Sequence, residues 1–185
     1  MEKTLGSEVK VVDDFNGSNV SKWKESLRGG ITDYMNLSLN QDMTYVKNGT
    51  NSIRLQIDNG NWTAWEQTNF VSGLTMTKED FFGTDKLEQI DYIEIHLYNS
   101  SEIEFDLSLR LETQKGSAAA RSKSFYSVTL KKGWNTIKIP SVSMFKWMSG
   151  EEDLLAYLTG VIIEFEKIEE DVDIYLDTIF YTYLK

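Results

Sequence analysis

Apolar and polar residues alternate with a period of two along most of the chain, the signature of strands with one dry and one wet face. The clearest runs lie in the middle. Ile93, Ile95 and Leu97 alternate with Glu94, His96 and Tyr98, and Ile103, Phe105, Leu107, Leu109 and Leu111 alternate with Glu104, Asp106, Ser108, Arg110 and Glu112. Further strands are predicted over Val9–Val12, Ile31–Leu39, Met43–Val46, Ser52–Ile57, Ser122–Leu130, Gly133–Ile139, Val161–Glu166 and Ile174–Tyr181, with Ile53, Leu55 and Ile57 turned inward. Turn-forming residues such as Asn16-Gly17-Ser18-Asn19, Lys47-Asn48-Gly49-Thr50 and Asp58-Asn59-Gly60-Asn61 separate them. Only Glu151–Leu158 reads as helical. About eleven strands at roughly ten-residue spacing, without a βαβ rhythm, predict an all-β fold: a two-sheet antiparallel β-sandwich.

With 185 residues the chain is long enough for a full-sized core and is read as a single module over 1–185, residues 1–8 being a lead-in. Nineteen Lys and Arg against 29 Asp and Glu give a net charge of −10, which disfavours nucleic acid, anionic lipid and acidic polymers as partners. A neutral ligand fits better. No stretch approaches a membrane span and the N-terminus has no apolar signal region, so the chain reads as cytosolic or as a piece excised from a longer exported protein. With no cysteine, disulfides and thiolate metal sites are ruled out.

Catalytic chemistry finds little support. A Ser/His/acid triad would need His96, the only histidine, which sits mid-strand with no Gly-x-Ser-x-Gly elbow in the chain. Zinc lacks ligands for the same reason. Glu94, Glu104, Asp106, Glu112, Glu164 and Glu166 occupy strand faces, but spacing singles out no pair for glycoside hydrolysis. Tryptophan points elsewhere. In Asn61–Phe70 alternation sends Trp62 and Glu66 to one face and Trp65 and Gln67 to the other, so at most one indole of the two is core. An exposed indole beside Glu and Gln is the chemistry of a sugar platform: the ring covers a pyranose C–H face and its neighbours bond hydroxyls. Trp23 has a wet setting and is expected exposed; Trp134 reads as a strand-start packing residue, and Trp147 lies in an apolar-rich loop.

A calcium site is also expected. Asp13 and Asp14 end the first strand and Asp177 interrupts the apolar last one. If these strands lie side by side, Asp14 and Asp177 meet the carbonyls of Lys47–Thr50, an oxygen-rich corner of the kind calcium takes. The plainer alternative has Asp14 capping a turn and Asp177 facing water.

Asp14-Phe15 after the first strand, Asn48-Gly49-Thr50-Asn51-Ser52 entering another, Gly133-Trp134-Asn135, and the closing Ile174-Tyr175-Leu176-Asp177-Thr178-Ile179 together resemble the carbohydrate-binding modules of the calcium-containing β-jelly-roll group. Length and tryptophan placement look most like family 27, the mannan-binding modules attached to bacterial β-mannanases. The resemblance covers nearly the whole chain. It implies a non-catalytic, monomeric, secreted module with a structural calcium held by Asp14, Thr50 and Asp177, joined covalently to a glycoside hydrolase such as a β-mannanase. It further implies a groove on one concave sheet that binds β-1,4-mannan, glucomannan or galactomannan. Platforms carried over are Trp23 and Trp62 or Trp65, with Trp147 or Tyr126 as a third; Glu66, His96, Arg110 and Glu164 are candidate hydroxyl partners. The competing expectation is a jelly-roll glycosidase or polysaccharide lyase using strand-face carboxylates.

Overall fold

A computed structural model of the chain describes residues 6–17, 20–27, 35–58, 72–85, 87–114, 121–141, 156–166, 168 and 170–184. Within them eleven strands form: β1 (Ser7–Asp13), β2 (Lys24–Leu27), β3 (Met35–Asn40), β4 (Ser52–Ile57), β5 (Ser72–Thr77), β6 (Ile90–Asn99), β7 (Phe105–Thr113), β8 (Arg121–Leu130), β9 (Gly133–Pro140), β10 (Leu158–Glu166) and β11 (Val172–Leu184). They make two antiparallel sheets. The first, sheet A, has the order β3-β4-β11-β6-β9, with β1 also paired to β11; the second, sheet B, has the order β2-β5-β10-β7-β8. The expected β-sandwich is the fold. Ile53, Leu55 and Ile57 on β4, Ile93, Ile95 and Leu97 on β6, and Leu107, Leu109 and Leu111 on β7 meet in one hydrophobic cluster and are each at most 1% exposed. Burying each such side chain contributes about 1.5–3 kcal/mol.

Two departures from the periodicity are instructive. Met43–Tyr45, expected to be extended, is a 3-10 turn in which Asp42 accepts from the Thr44 amide, 2.9 Å away. A helix that alternation did not show, α1 (Lys78–Phe82), follows β5. Thr77 caps it, accepting from Asp80 N at 3.1 Å and donating to Asp80 Oδ2 at 2.8 Å. The capping sequence Thr77-Lys78-Glu79-Asp80 announces this helix. It buries Phe81 and Phe82, and its end is tied down by Tyr181, whose hydroxyl donates to Phe82 O at 3.2 Å and to Asp85 Oδ2 at 2.7 Å. The helix expected over Glu151–Leu158 falls largely outside the described residues, and Leu158 opens β10.

The last strand explains how the first sheet is assembled. Val172–Leu176 of β11 pair with β4, and Ile179–Leu184 pair with β1, so β4 and β1 share one slot end to end. The first and last strands are therefore neighbours, as expected. At the handover the register with β6 shifts between Leu176 and Thr178, and Asp177 sits in that bulge.

Candidate functional site

Side chains of sheet B that turn away from the core form a polar floor. On β7 these are Asp106, Ser108, Arg110 and Glu112; on β10 they are Gly160, Ile162 and Glu164. Arg110 Nη1 lies 3.1 Å from Glu164 Oε2 across the two strands. Although they point outward, Glu164, Ser108 and Ile162 are only 2%, 3% and 5% exposed, so the floor is recessed. Gly73 of β5 stands opposite Glu164, and any Cβ there would meet Ile163 O at 2.4 Å. Only glycine lets β5 approach β10 this closely beside the carboxylate. Further along the same face, Lys24, Thr75, Thr77, Glu112, Thr159 and Gly160 line a polar recess of about 490 Å³. Arg110 and Glu164, singled out independently in the sequence, thus come together. A guanidinium and a carboxylate on a sheet floor offer donors and acceptors at fixed positions, which is what hydroxyl recognition needs.

The outward face of sheet A differs. Tyr45 stacks on Tyr175 with ring centroids 3.9 Å apart, Tyr98 meets Tyr45 at 5.1 Å, and Trp134 meets Tyr98 edge-on at 5.4 Å. Burial first, then the charge of Asp173, raises the Tyr175 phenol above its ordinary value. His96 stands on this sheet, not with Arg110 and Glu164, because β6 and β7 belong to different sheets. It is engaged on both nitrogens, Nε2 with Glu94 Oε1 at 2.8 Å and Nδ1 with Asn48 Nδ2 at 3.2 Å, and is 9% exposed. The network continues into Asp177. Its carboxylate, fully buried, accepts from Lys47 N at 2.8 Å, from Asn48 N at 3.2 Å, from Asn48 Nδ2 at 3.3 Å and from Thr178 Oγ1 at 2.5 Å. Asn16 Oδ1 accepts from Thr50 N at 2.8 Å, tying the same loop to the end of β1.

That donor set decides how the predicted calcium ligands are read. Both Asp177 oxygens are met by N–H and O–H groups, Asp14 accepts from Asn16 N, and no group of three or more His, Asp or Glu gathers for a metal among the described residues. As folded, oxygens of Asp177 and Asp14 face N–H and O–H donors, which a cation at Asp14, Thr50 and Asp177 would have to displace. The buried carboxylate instead pins the β3–β4 loop over the β1/β4 junction.

Three expected roles are corrected. Trp23 is core, not a platform: it is 3% exposed, packs on Phe15 at 6.3 Å and donates its indole N–H to Asp13 Oδ2 at 3.0 Å. The wet-looking neighbourhood supplied the acceptor that a buried indole requires. Tyr126 stands opposite Leu109, shares its inward face and packs on the core. Trp134, read as a packing residue, is 37% exposed. Trp62, Trp65, Glu66 and Trp147 lie outside the described residues.

Solved structures similar in fold include carbohydrate-binding modules. The family 11 carbohydrate-binding module from Clostridium thermocellum, in complex with a β-1,3-1,4-mixed-linked tetrasaccharide, superposes with a TM-score of 0.61 at 19% identity over 94% of both chains. The CBM22-1 xylan-binding domain from Paenibacillus barcinonensis Xyn10C gives 0.56 at 12% identity, over 95% of this chain and 94% of that one. The CBM22-1–GH10 modules of a Clostridium thermocellum endo-1,4-β-D-xylanase, complexed with xylohexaose, give 0.55 at 11% identity, over 98% of this chain and 29% of that one. At these identities the likeness is one of fold. No protein-family model and no curated protein matches the chain.

Proposed function

We propose that this chain is a non-catalytic module that binds a neutral β-linked polysaccharide across the outward face of sheet B. The observation that carries this reading is the recessed polar floor, with Arg110 and Glu164 paired at 3.1 Å next to Gly73, where β5 comes close to β10. A hydroxyl entering there replaces water at groups already held in place, and an epimer that misplaces it leaves a buried donor or acceptor unpaired at ~1–3 kcal/mol. The modules named above share the fold and support the class of ligand.

For the backbone sugar, the sequence resemblance points to β-1,4-mannan, glucomannan or galactomannan. Xylan, xylohexaose and the mixed-linkage tetrasaccharide are the carbohydrates named with the similar folds, so they are its direct competitors. Native gels containing soluble mannan, xylan, mixed-linkage β-glucan or hydroxyethylcellulose separate them by retardation of the intact chain. Retardation by at least one β-linked polymer, with no reducing sugar released, is expected; retardation by none would end the reading.

An exported glycoside hydrolase is the proposed host, since one similar structure holds such a module together with a GH10 module. No helix among the described residues is long and apolar enough to cross a membrane. Hydrolysis by Glu112 and Glu164 of this face is less favoured. Glu112 stands opposite Gly160 and Glu164 four residues further on, so their backbones are ~13 Å apart along the strand, with Arg110 between them in register. A hydrolytic pair needs carboxyl groups about 5–9.5 Å apart with room for sugar or water between them. Calcium is a separate proposal: it would have to displace the Lys47 and Asn48 amides from Asp177.

A further inference from the structure

Among the described residues, the largest exposed side chain that the polar floor does not account for is Trp134, on the opposite face of the sandwich. It opens β9 directly across from Tyr98, outward of the core residue Leu97. Tyr98 holds it edge-on at an interplanar angle of 73°, and the Tyr45–Tyr175 stack backs Tyr98. The indole is therefore a braced plate rather than a mobile surface residue. Lys47 Nζ lies over the ring, 5.9 Å from its centroid, and donates to Thr136 Oγ1 at 3.0 Å. That ammonium has three N–H donors and spends one on Thr136. Its backbone is fixed too, because the Lys47 amide is bonded to the buried Asp177 carboxylate. A rigid aromatic plate with a positioned donor over one face and its other face left for a pyranose matches the requirements of a single sugar ring, a C–H face to cover and hydroxyls to bond.

We propose that Trp134, with Lys47 and Thr136, is a second sugar-contact site, taking one pyranose of a neutral β-linked polysaccharide on the face opposite Arg110 and Glu164. Its ligand class rests on the polysaccharide reading above; its location does not. A chain bound on the polar floor and another on Trp134 would let one module touch two strands of an insoluble polymer.

The test follows the indole N–H resonance of Trp134, assigned by its loss in Trp134→Phe, while the intact chain is titrated with the β-1,3-1,4-mixed-linked tetrasaccharide, xylohexaose and mannohexaose. We expect the resonance to move in a step weaker than the main binding event, and to move with the same midpoint in Glu164→Gln. Lys47→Ala should weaken that step about tenfold, the worth of one good hydrogen bond. Trp134→Ala, read instead by the Thr136 backbone amide resonance, should weaken it about thirtyfold, the factor carried by covering ~80 Å² of indole. A Trp134 resonance that stays still while the main site saturates would overturn the second site and leave the polysaccharide reading standing. A chain that binds none of the sugars on either face would overturn both.

Discussion

Asp177 and Glu164 are both carboxylates on outward positions of central strands, and both are nearly inaccessible, at 0% and 2% exposure. What meets them differs. Asp177 is held by backbone amides of a loop that crosses it, the amides of Lys47 and Asn48, so its partners cannot leave without unseating the loop. Glu164 is paired across the strands with a side chain, the guanidinium of Arg110. Burial alone therefore does not separate a structural acid from a binding one; the identity of the donor does. The first kind closes the β1/β4 junction, and the second lies in the recessed floor proposed to meet a sugar.

The contrast breaks most directly at Asp177. Asp177→Ala would leave several buried donors without an acceptor, costing about 3–5 kcal/mol and lowering the midpoint by roughly 10 °C or more. Chemical denaturation read by tryptophan fluorescence checks it, and a loss under 1 kcal/mol would show that the cradle is dispensable. Glu164→Gln keeps an oxygen for Arg110 and should cost only about 1 kcal/mol of stability while weakening sugar binding tenfold or more.

Acid reads a third carboxylate. Burial raises the Asp85 carboxyl, but hydrogen bonds from Lys10 and Tyr181 together with the Lys10 charge outweigh it and hold the group below its ordinary value. A depressed folded-state value means stability that is fully present above the unfolded carboxyl value and is lost as pH falls through the lowered one. Asp85→Asn should therefore flatten the acid limb of the stability profile, and an unchanged limb would remove the Lys10–Asp85–Tyr181 link from the account. The smallest expected effect is that of chelation. If Asp177 is satisfied by N–H donors alone, a chelator moves the thermal midpoint by no more than about 1 °C; if the proposed calcium is bound at a hundredfold excess over its Kd, chelation removes about 2.7 kcal/mol, and the thermal midpoint read with and without chelator separates the two.

Alternation was enough to read the architecture, because a period of two determines which side chains enter the core: Ile53, Leu55 and Ile57, and the inward series of β6 and β7, are buried as read. It was also enough to place Arg110 and Glu164 on strand faces. It does not say which faces belong to one sheet, since that depends on long-range pairing, and so it leaves His96 a candidate hydroxyl partner alongside Arg110 and Glu164, which stand on the other sheet. Trp23 shows a second limit. A polar neighbourhood marks exposure only until one of those polar groups, here Asp13, becomes the buried ring's partner. Trp134 shows the converse, as its strand begins with an outward position and the apolar series Ile137 and Ile139 starts only later.

The central claim, that the recessed floor around Arg110 and Glu164 binds a neutral β-linked sugar chain, is tested most directly by calorimetric titration of wild type and Glu164→Gln with whichever soluble polysaccharide retards the intact chain. Wild type should bind with an affinity nearly independent of salt, and Glu164→Gln, still folded by circular dichroism, should bind tenfold or more weakly. Equal affinities for the two proteins would contradict the claim and move the site off this face.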